Sequence, residues 1–214
     1  GGLWDKYPVE QVATPEGYAR NPELVINFYN ERRKQLLDVV PNAGHLGVAD
    51  LERDFNVTVV TQNVDNLHER AGSTHVIHLH GELTKVCSSR DPYNPHFVKE
   101  LAPEEYEVKL GDKAGDGTQL RPFIVWFGES VPEIETAIRY VEQADIFVII
   151  GTSLNVYPAA GLLNYVPRAA EVYLIDPKPV DTHVMRPIHV IQKGASEGVK
   201  ELKALLTVTQ PPLP

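Results

Sequence analysis

Apolar residues recur at helical spacing over residues 21–40. The stretch opens with Asn-Pro, a common helix start, and its apolar positions 25, 28, 29, 36 and 40 lie on one face of a helix. On this spacing Arg32 falls within the apolar face. The next two residues, Arg33 and Lys34, are predicted to face water.

The rest of the chain alternates between short apolar runs, typical of strands, and amphipathic stretches, typical of helices. The predicted strands are 57–61, 145–151, 171–176 and 189–192, with a strand-like run at 123–129. The further predicted helices are 42–55, 132–144, 158–166 and 196–206. This alternation predicts an α/β fold with a parallel sheet covered by helices on both faces. The polar segment 84–121 is assigned to neither class, and 207–214 is expected to be a disordered tail.

Polar or glycine-rich residues follow four of the predicted strands. In strand order they are Gln62, Asn63 and Asp65; Gly151, Thr152 and Ser153; Asp176; and Gly194, Ala195 and Ser196. Ligands of parallel sheets bind outside the carboxyl ends of the strands, and a loop that opens a helix suits a phosphate. Ordinary turn chemistry would explain one such loop, whereas several at one sheet edge favour a nucleotide site.

Three histidines lie close together in the chain, at positions 75, 78 and 80. A metal site on these residues is the less favoured alternative, because further ligands at a recognisable spacing are missing. His80 is better interpreted as a lone acid–base group, and its neighbour Gly81 would let a ligand approach closely. The alternative for His80 is a structural histidine.

Arg32 requires a partner if it is buried, since an unpaired guanidinium is costly to remove from water. Tyr29 lies one turn earlier on the same face. An internal salt bridge and a pocket that receives a carboxylate are equally compatible with the pattern. The run 123–129 is either core packing or an edge that pairs with an extended peptide.

Composition narrows the function classes. The 214 residues carry a net charge of -9, which argues against a nucleic-acid surface built on bulk positive charge. A membrane-spanning apolar run and a secretory signal pattern are not found, so a cytoplasmic protein without membrane contact is expected. Cys87 is the single cysteine, which rules out a disulfide or an all-cysteine zinc site within the chain.

Four motifs in order resemble one family, the sirtuins, which are NAD-dependent protein lysine deacylases. They are "TQNVDNLHERAG" at 61–72, "HLHGEL" at 78–83, "VWFGE" at 125–129 and "GTSLNVYPAA" at 151–160. The stretch 12–33 further resembles the bacterial and mitochondrial branch in which a tyrosine and an arginine read acidic acyl groups. Those residues map onto Tyr29 and Arg32.

The resemblance implies a Rossmann-like fold with a small inserted module, and acyl-lysine proteins or peptides as substrates. Residues 41–83 and 123–206 would form the NAD-binding domain, and 1–40 with 84–122 the smaller module and substrate-side segments. NAD would be consumed as a co-substrate to remove acetyl, succinyl or malonyl groups from lysine. The products would be nicotinamide and O-acyl-ADP-ribose.

The resemblance also assigns roles to single residues. His80 would be the general base, with Asn63 ordering water and ribose and Asp65 holding the nicotinamide carboxamide. The other cofactor-binding residues would be Gln62, Gly151, Thr152, Ser153, Asp176, Gly194 and Ala195. The substrate-binding residues would be Tyr29, Arg32, Val125, Phe127, Gly128 and Glu129.

Two departures from the family pattern change the expectations. The segment after the histidine motif holds only Cys87 instead of four zinc-binding cysteines, so packing or hydrogen bonds are expected there and no zinc. The family's glycine-rich "GAGxSxxSGIPxFR" segment has no counterpart in this sequence, and weak NAD binding is expected of these 214 residues alone. A non-catalytic module that binds NAD or ADP-ribose is therefore the alternative function. A hydride-transferring dehydrogenase has little support, because its glycine fingerprint is absent.

Overall fold

Helices and strands alternate along the chain in the computed structural model, which describes residues 6–151, 159–180 and 186–208. The described α-helices are α1 (Val9–Val12), α2 (Pro15–Arg20), α3 (Pro22–Leu36), α4 (Ala43–Asp50), α5 (Leu67–Ala71), α6 (Ile134–Val141), α7 (Ala159–Leu162) and α8 (Ala195–Val208). The described strands are β1 (Val59–Thr61), β2 (Val76–His78), β3 (Gly81–Ser88), β4 (Val98–Glu100), β5 (Leu120–Ile124), β6 (Ile146–Ile150), β7 (Glu171–Ile175) and β8 (His189–Ile191).

The chain divides into two compact units, which are described separately. The first unit comprises Gly1–Val40, Thr61–Asn66 and His78–Pro132. The second comprises Pro41–Val60, Leu67–Ile77 and Glu133–Pro214. The functional domains predicted from the sequence stay a prediction.

A parallel sheet of three strands forms the centre of the second unit. Strand β7 pairs with β6 on one side and with β8 on the other, and both pairings are parallel. Helix α8 packs on this sheet through Val199, Leu202 and Leu206. A side chain at Gly198 would lie 2.2 Å from the Cγ2 atom of Ile175, so this glycine lets α8 approach β7 closely. These strands and α8 lie where the hydrophobic pattern predicts them.

An antiparallel sheet characterises the first unit, and the sequence pattern does not predict it. Strand β3 pairs with β4 and β5, and helix α3 packs nearby. The core is formed by Val12, Ala13, Val25, Phe28, Tyr29, Leu83, Ile124 and Trp126. Helix α3 begins as predicted, with the side chain of Asn21 accepting a hydrogen bond from the Leu24 N–H.

Arg33 is buried, and the prediction that it faces water was wrong. Only 4% of its surface is exposed. Its Nε donates to the carbonyl of Tyr106 at 2.8 Å, and one terminal nitrogen donates to Asn30 Oδ1 at 2.6 Å. Burial lowers its pKa to about 10, so the guanidinium stays charged at neutral pH. The cause is that the segment around Tyr106 contacts this face of α3. Helical periodicity alone does not reveal such a contact.

Hydrogen bonds order the segment that follows the histidine motif. The buried hydroxyl of Ser88 accepts from the N–H groups of Arg90 and Asp91 and donates to Asp116 Oδ2 at 2.5 Å. The other carboxylate oxygen of Asp116 accepts two hydrogen bonds from Thr118. This network has the character expected in place of a metal, while the expectation that no zinc binds stays a prediction.

Cys87 is fully buried beside Ser88, and its Sγ lies 3.7 Å from the Pro122 carbonyl oxygen. Burial raises the pKa of this thiol to about 12. Since the thiolate is the form that binds metals, Cys87 is a poor ligand at neutral pH.

The carboxyl end of the chain differs from its prediction. Thr207 and Val208 belong to α8, so the disordered tail predicted from 207 was wrong for these two residues. Residues 209–214 lie outside the described part. Among the helices that the structure describes, none combines the length and apolarity that crossing a membrane requires.

Ser88→Ala tests the hydrogen-bond network. The change leaves two backbone N–H groups and one carboxylate oxygen without their partner, so the free energy of unfolding should fall by about 1–3 kcal/mol. Urea denaturation measures this loss. The exposed Ser130→Ala is the matched control and should change stability by less than about 0.5 kcal/mol. A chelator should leave the unfolding midpoint of the unmodified protein unchanged, and a lower midpoint would show that a metal orders the segment.

Candidate active site

The run Gln62–Asp65 is held in place by backbone hydrogen bonds directly after β1. The Asn63 N–H donates to Thr61 Oγ1 at 3.0 Å, and the Val64 carbonyl accepts from the Leu83 N–H at 2.8 Å. Within the described residues, the buried Nε2 atom of Gln62 has no hydrogen-bond partner. An unpaired buried amide is costly, so this side chain is suited to a polar ligand.

His80 is partly buried and lies directly before β3. Burial lowers its pKa from the ordinary value of 6.5, and a hydrogen bond with the backbone of Gln62 acts in the opposite direction. The His80 carbonyl accepts from the Val125 N–H at 2.9 Å, which fixes the backbone of the residue. A neutral imidazole at physiological pH can accept a proton, as a general base must.

Gly81 serves strand pairing, while its role in letting a ligand approach closely stays a prediction. Its φ is +87°, and a Cβ atom there would lie 2.1 Å from the carbonyl oxygen of Phe123. The space beside this glycine is therefore filled by β5. Any residue larger than glycine would push β3 and β5 apart next to His80.

The other two histidines of the run have structural partners. His78 Nδ1 lies 2.9 Å from the Asn63 carbonyl oxygen, and His75 Nδ1 lies 2.9 Å from Thr58 Oγ1. His78 is also buried. One ring nitrogen of each of these two histidines is thus engaged within the protein, and the metal site on the three residues stays the less favoured alternative.

The two candidate acyl-reading residues lie on α3. Tyr29 is fully buried, and its hydroxyl donates to the Val12 carbonyl at 2.9 Å. Arg32 is partly buried, which lowers its pKa, while Tyr29 and Asp65 act on it electrostatically to raise it. The structure therefore brings the predicted carboxylate-binding arginine into electrostatic range of the predicted nicotinamide-binding Asp65.

The predicted substrate channel residues divide into two groups. Phe127 has 68% of its surface exposed, and its N–H donates to the Ala13 carbonyl at 3.0 Å. Gly128 has a φ of +91°, which favours glycine in this turn. Val125 is bonded to the backbone of His80. These three can border a substrate, whereas Glu129 is engaged within the protein.

Glu129 organises the turn that follows β5. Its carboxylate oxygens accept from the two terminal nitrogens of Arg121 at 2.9 and 3.0 Å, and one also accepts from the Trp126 N–H at 2.8 Å. The Tyr93 hydroxyl donates to the same carboxylate at 3.0 Å. Burial alone would raise the pKa of Glu129, but these hydrogen bonds, led by Arg121, hold it below its usual value.

Sequence reasoning missed Arg121, Trp126 and Tyr93, which together hold this turn. Only 4% of Arg121 and 2% of Trp126 is exposed. A signal was present in the sequence, since Arg121 lies two residues before the apolar run 123–129 and Glu129 ends that run. A buried arginine so placed needs an acid nearby.

The predicted cofactor residues of the second unit follow the carboxyl ends of neighbouring strands, and these ends lie side by side in the sheet. Ile150, Ile175 and Ile191 are register partners at the carboxyl ends of β6, β7 and β8. Gly151 and Asp176 directly follow two of these residues. Gly151 has a φ of +64°, and Asp176 Oδ1 accepts from the Lys178 N–H at 2.8 Å.

The third strand end leads into α8. Gly194 precedes this helix, Ala195 is its first residue, and the Gly198 N–H donates to the Gly194 carbonyl at 2.8 Å. A helix N-terminus offers free N–H groups to an anion. Thr152 and Ser153 lie outside the described residues.

Comparison with known protein families shows which family has these features. The profile of the Sir2 family matches residues 1–158. The chain belongs to the Sir2 family. An NAD-dependent protein deacylase of Bacteroides thetaiotaomicron is 84% identical to it over 206 residues, which cover 96% of this chain and 88% of that protein. An NAD-dependent protein deacylase of Helicobacter pylori is 46% identical over 201 residues, which cover 94% of this chain and 85% of that protein.

Solved structures of Sir2 proteins share the fold. A Sir2 homologue in complex with NAD superposes with a TM-score of 0.79 at 36% identity, covering 97% of this chain and 80% of that one. A Sir2 complex with a p53 peptide and NAD superposes with a TM-score of 0.70 at 26% identity, covering 90% of this chain and 81% of that one. The predicted Rossmann-like α/β fold is confirmed.

Proposed function

We propose that this Sir2-family chain is an NAD-dependent protein deacylase that removes acyl groups from lysine side chains. The observation that carries the proposal is the position of His80. It is a partly buried imidazole with a lowered pKa, hydrogen-bonded to the strand-end residue Gln62. The names of the Bacteroides and Helicobacter relatives support the same activity. Acyl-lysine proteins are accordingly the substrates.

The residues present fit NAD. In the first unit, the unpartnered buried amide of Gln62 suits a ribose hydroxyl, and Asn63 and Asp65 would hold the nicotinamide ribose and carboxamide. In the second unit, Gly151 and Asp176 follow adjacent strand ends, and Gly194 opens α8. Glycines there leave backbone N–H groups accessible to phosphate and ribose oxygens. NAD, when bound, supplies the ADP-ribose that accepts the acyl group.

His80 would act as the general base for a ribose hydroxyl. Its neutral form has a free nitrogen lone pair, and partial burial keeps the ring in that form at neutral pH. The hydrogen bond with the Gln62 backbone orients the ring and stabilises the imidazolium that results from proton uptake. The N–H of Val125, which directly follows β5, fixes the His80 backbone.

A preference for acidic acyl groups is the second element of the proposal. Arg32 is partly buried, which lowers its pKa, and the carboxylate of Asp65 acts in the opposite direction and favours the charged guanidinium. A guanidinium can bind the terminal carboxylate of a succinyl or malonyl group through two hydrogen bonds. An acetyl group has no such carboxylate, so its removal depends less on Arg32.

His80→Ala tests the catalytic assignment. Without the base, nicotinamide release from NAD that depends on an acyl-lysine peptide should fall by about a hundredfold or more. Chromatographic assay of nicotinamide measures this release. The exposed His96→Ala is the matched control and should retain full activity. If the unmodified protein binds ADP-ribose but releases no nicotinamide, the chain is a binding module instead.

The pH profile tests the protonation state of His80. Since the pKa of His80 is lowered below 6.5 and the neutral form is the base, activity should be constant around neutrality and fall as the pH drops through the lowered pKa. Measurement of kcat/KM between pH 5 and 8 locates this acidic limb. A limb that lies above pH 6.5 would contradict the assignment.

Arg32→Met tests the acyl preference. Loss of a charge-assisted pair should reduce kcat/KM for a succinyl-lysine peptide by about tenfold or more, with a much smaller effect on an acetyl-lysine peptide. Lys34→Met removes an exposed cation from the same helix and is the matched control. Equal losses on both peptides in Arg32→Met would disprove the carboxylate contact.

A further inference from the structure

The residues from Trp126 to Glu129 form a tight turn that is closed twice. The Glu129 N–H donates to the Trp126 carbonyl at 3.0 Å, and Gly128 has a φ of +91°, the positive value that a type II turn requires at its third residue. The side chain of Glu129 provides the second closure, because its Oε1 atom accepts from the Trp126 N–H at 2.8 Å. The position of this carboxylate therefore determines how firmly the turn is held.

The tip of the turn, Phe127 and Gly128, is open to solvent. Phe127 has 68% of its surface exposed, and Gly128 is exposed as well. The Phe127 N–H donates to the Ala13 carbonyl at 3.0 Å, which ties the turn to the residues between α1 and α2. A ligand can thus reach the tip in the conformation that the structure shows.

Tyr93 holds Glu129 from outside the turn. Its hydroxyl donates to Glu129 Oε1 at 3.0 Å, in addition to the two hydrogen bonds from Arg121. Its ring packs edge-on against Phe123, with 6.1 Å between the ring centroids. Burial, together with the nearby carboxylate of Glu129, raises the pKa of Tyr93, so the hydroxyl keeps its proton and remains a donor. Donation to a carboxylate is stronger than donation to a neutral oxygen.

The loop that carries Tyr93 follows β3 and belongs to the segment ordered by Ser88. The Ser88 hydroxyl accepts from the N–H groups of Arg90 and Asp91. Asp91 in turn accepts from Asn94, with its carbonyl at 3.3 Å and with its carboxylate at 3.0 Å. These hydrogen bonds hold the chain on both sides of Tyr93. The network that orders this segment therefore also places the Tyr93 hydroxyl.

We propose that Tyr93 is a positioning residue for the peptide part of the substrate, which acts through Glu129 to hold Phe127 and Gly128 ready for the residues that flank an acyl-lysine. The Glu129 side chain is 15% exposed, so without the Tyr93 hydroxyl its carboxylate is freer to turn towards water and away from the Trp126 N–H. The inference rests on the proposed function and deepens it, because neither the strand pattern nor the sequence motifs give Tyr93 a role.

Tyr93→Phe tests the inference, because it keeps the ring and leaves the charge of Glu129 paired with Arg121. We expect KM for an acetyl-lysine peptide to rise about three- to tenfold, whereas kcat and the KM for NAD change by less than about twofold. Free Nε-acetyl-lysine has no flanking residues, so its kcat/KM should stay within about twofold of the original value. A purely structural role would instead lower the active fraction and reduce turnover of both substrates equally.

Tyr106→Phe is the matched control, since it removes a tyrosine hydroxyl from the same segment and should leave both substrates unaffected. Replacement of Tyr93 by 4-aminophenylalanine keeps an N–H donor and should restore the KM for the peptide to within about twofold. If Tyr93→Phe does not fold, O-methyltyrosine at position 93 keeps the oxygen without its proton and should give the same selective rise in KM. Thermal unfolding of each variant reports folding independently of activity.

A double-mutant cycle shows whether Tyr93 acts through Glu129. In the Glu129→Gln background the charged acceptor is gone, so Tyr93→Phe should raise the KM for the peptide by a smaller factor than in the unmodified protein. An equal factor in both backgrounds would overturn the inference.

Three further results would also overturn it. They are an unchanged KM for the peptide in Tyr93→Phe, an equal loss on the peptide and on free acetyl-lysine, and a failure of 4-aminophenylalanine to restore the KM. Absence of turnover by the unmodified protein on both substrates would instead overturn the proposed function, and the inference with it.

Discussion

The ion pair of Arg121 with Glu129 is the interaction on which the candidate site of the first unit depends. Moving a guanidinium and a carboxylate out of water is unfavourable unless both are fully hydrogen-bonded. Here Arg121 binds both carboxylate oxygens of Glu129 and also donates to the Ile124 carbonyl. The pair thereby connects the end of β5 to the turn that exposes Phe127. Loss of either charge would leave the other buried without its oppositely charged partner.

Strand β5 connects this ion pair to the backbone of His80. The strand pairs with β3, the Val125 N–H bonds the His80 carbonyl, and Gly81 lets the two backbones approach closely. His80 thus owes its backbone position to strand pairing, while its ring is oriented by Gln62. The candidate base is therefore positioned by main-chain hydrogen bonds.

The sequence predicts what depends on local pattern. The strands β6, β7 and β8 and the helices α3 and α8 follow from apolar runs and periodicity, and the strand-end rule places Gly151 and Asp176 at one level. The antiparallel sheet escapes prediction because β4 is short and carries charged residues, and its pairing with β3 is nonlocal. Arg121 and Trp126 escape for a related reason, since their partners are set by the turn geometry and not by spacing.

The neighbouring arginines of α3, Arg32 and Arg33, show what helical periodicity can predict about a side chain and what it cannot. Successive residues of a helix are turned by about 100°, so Arg32 and Arg33 face different surroundings. Arg33 donates to the Tyr106 carbonyl and to Asn30, so its hydrogen bonds stabilise the fold. The pKa of Arg32 is instead affected electrostatically by Asp65 and Tyr29, two residues of the candidate site. Both are withdrawn from water, so burial alone does not separate a structural arginine from a ligand-binding one. The surroundings do differ: Arg33 donates to neutral oxygens of the protein, whereas Arg32 lies in electrostatic range of Asp65, a residue of the candidate site.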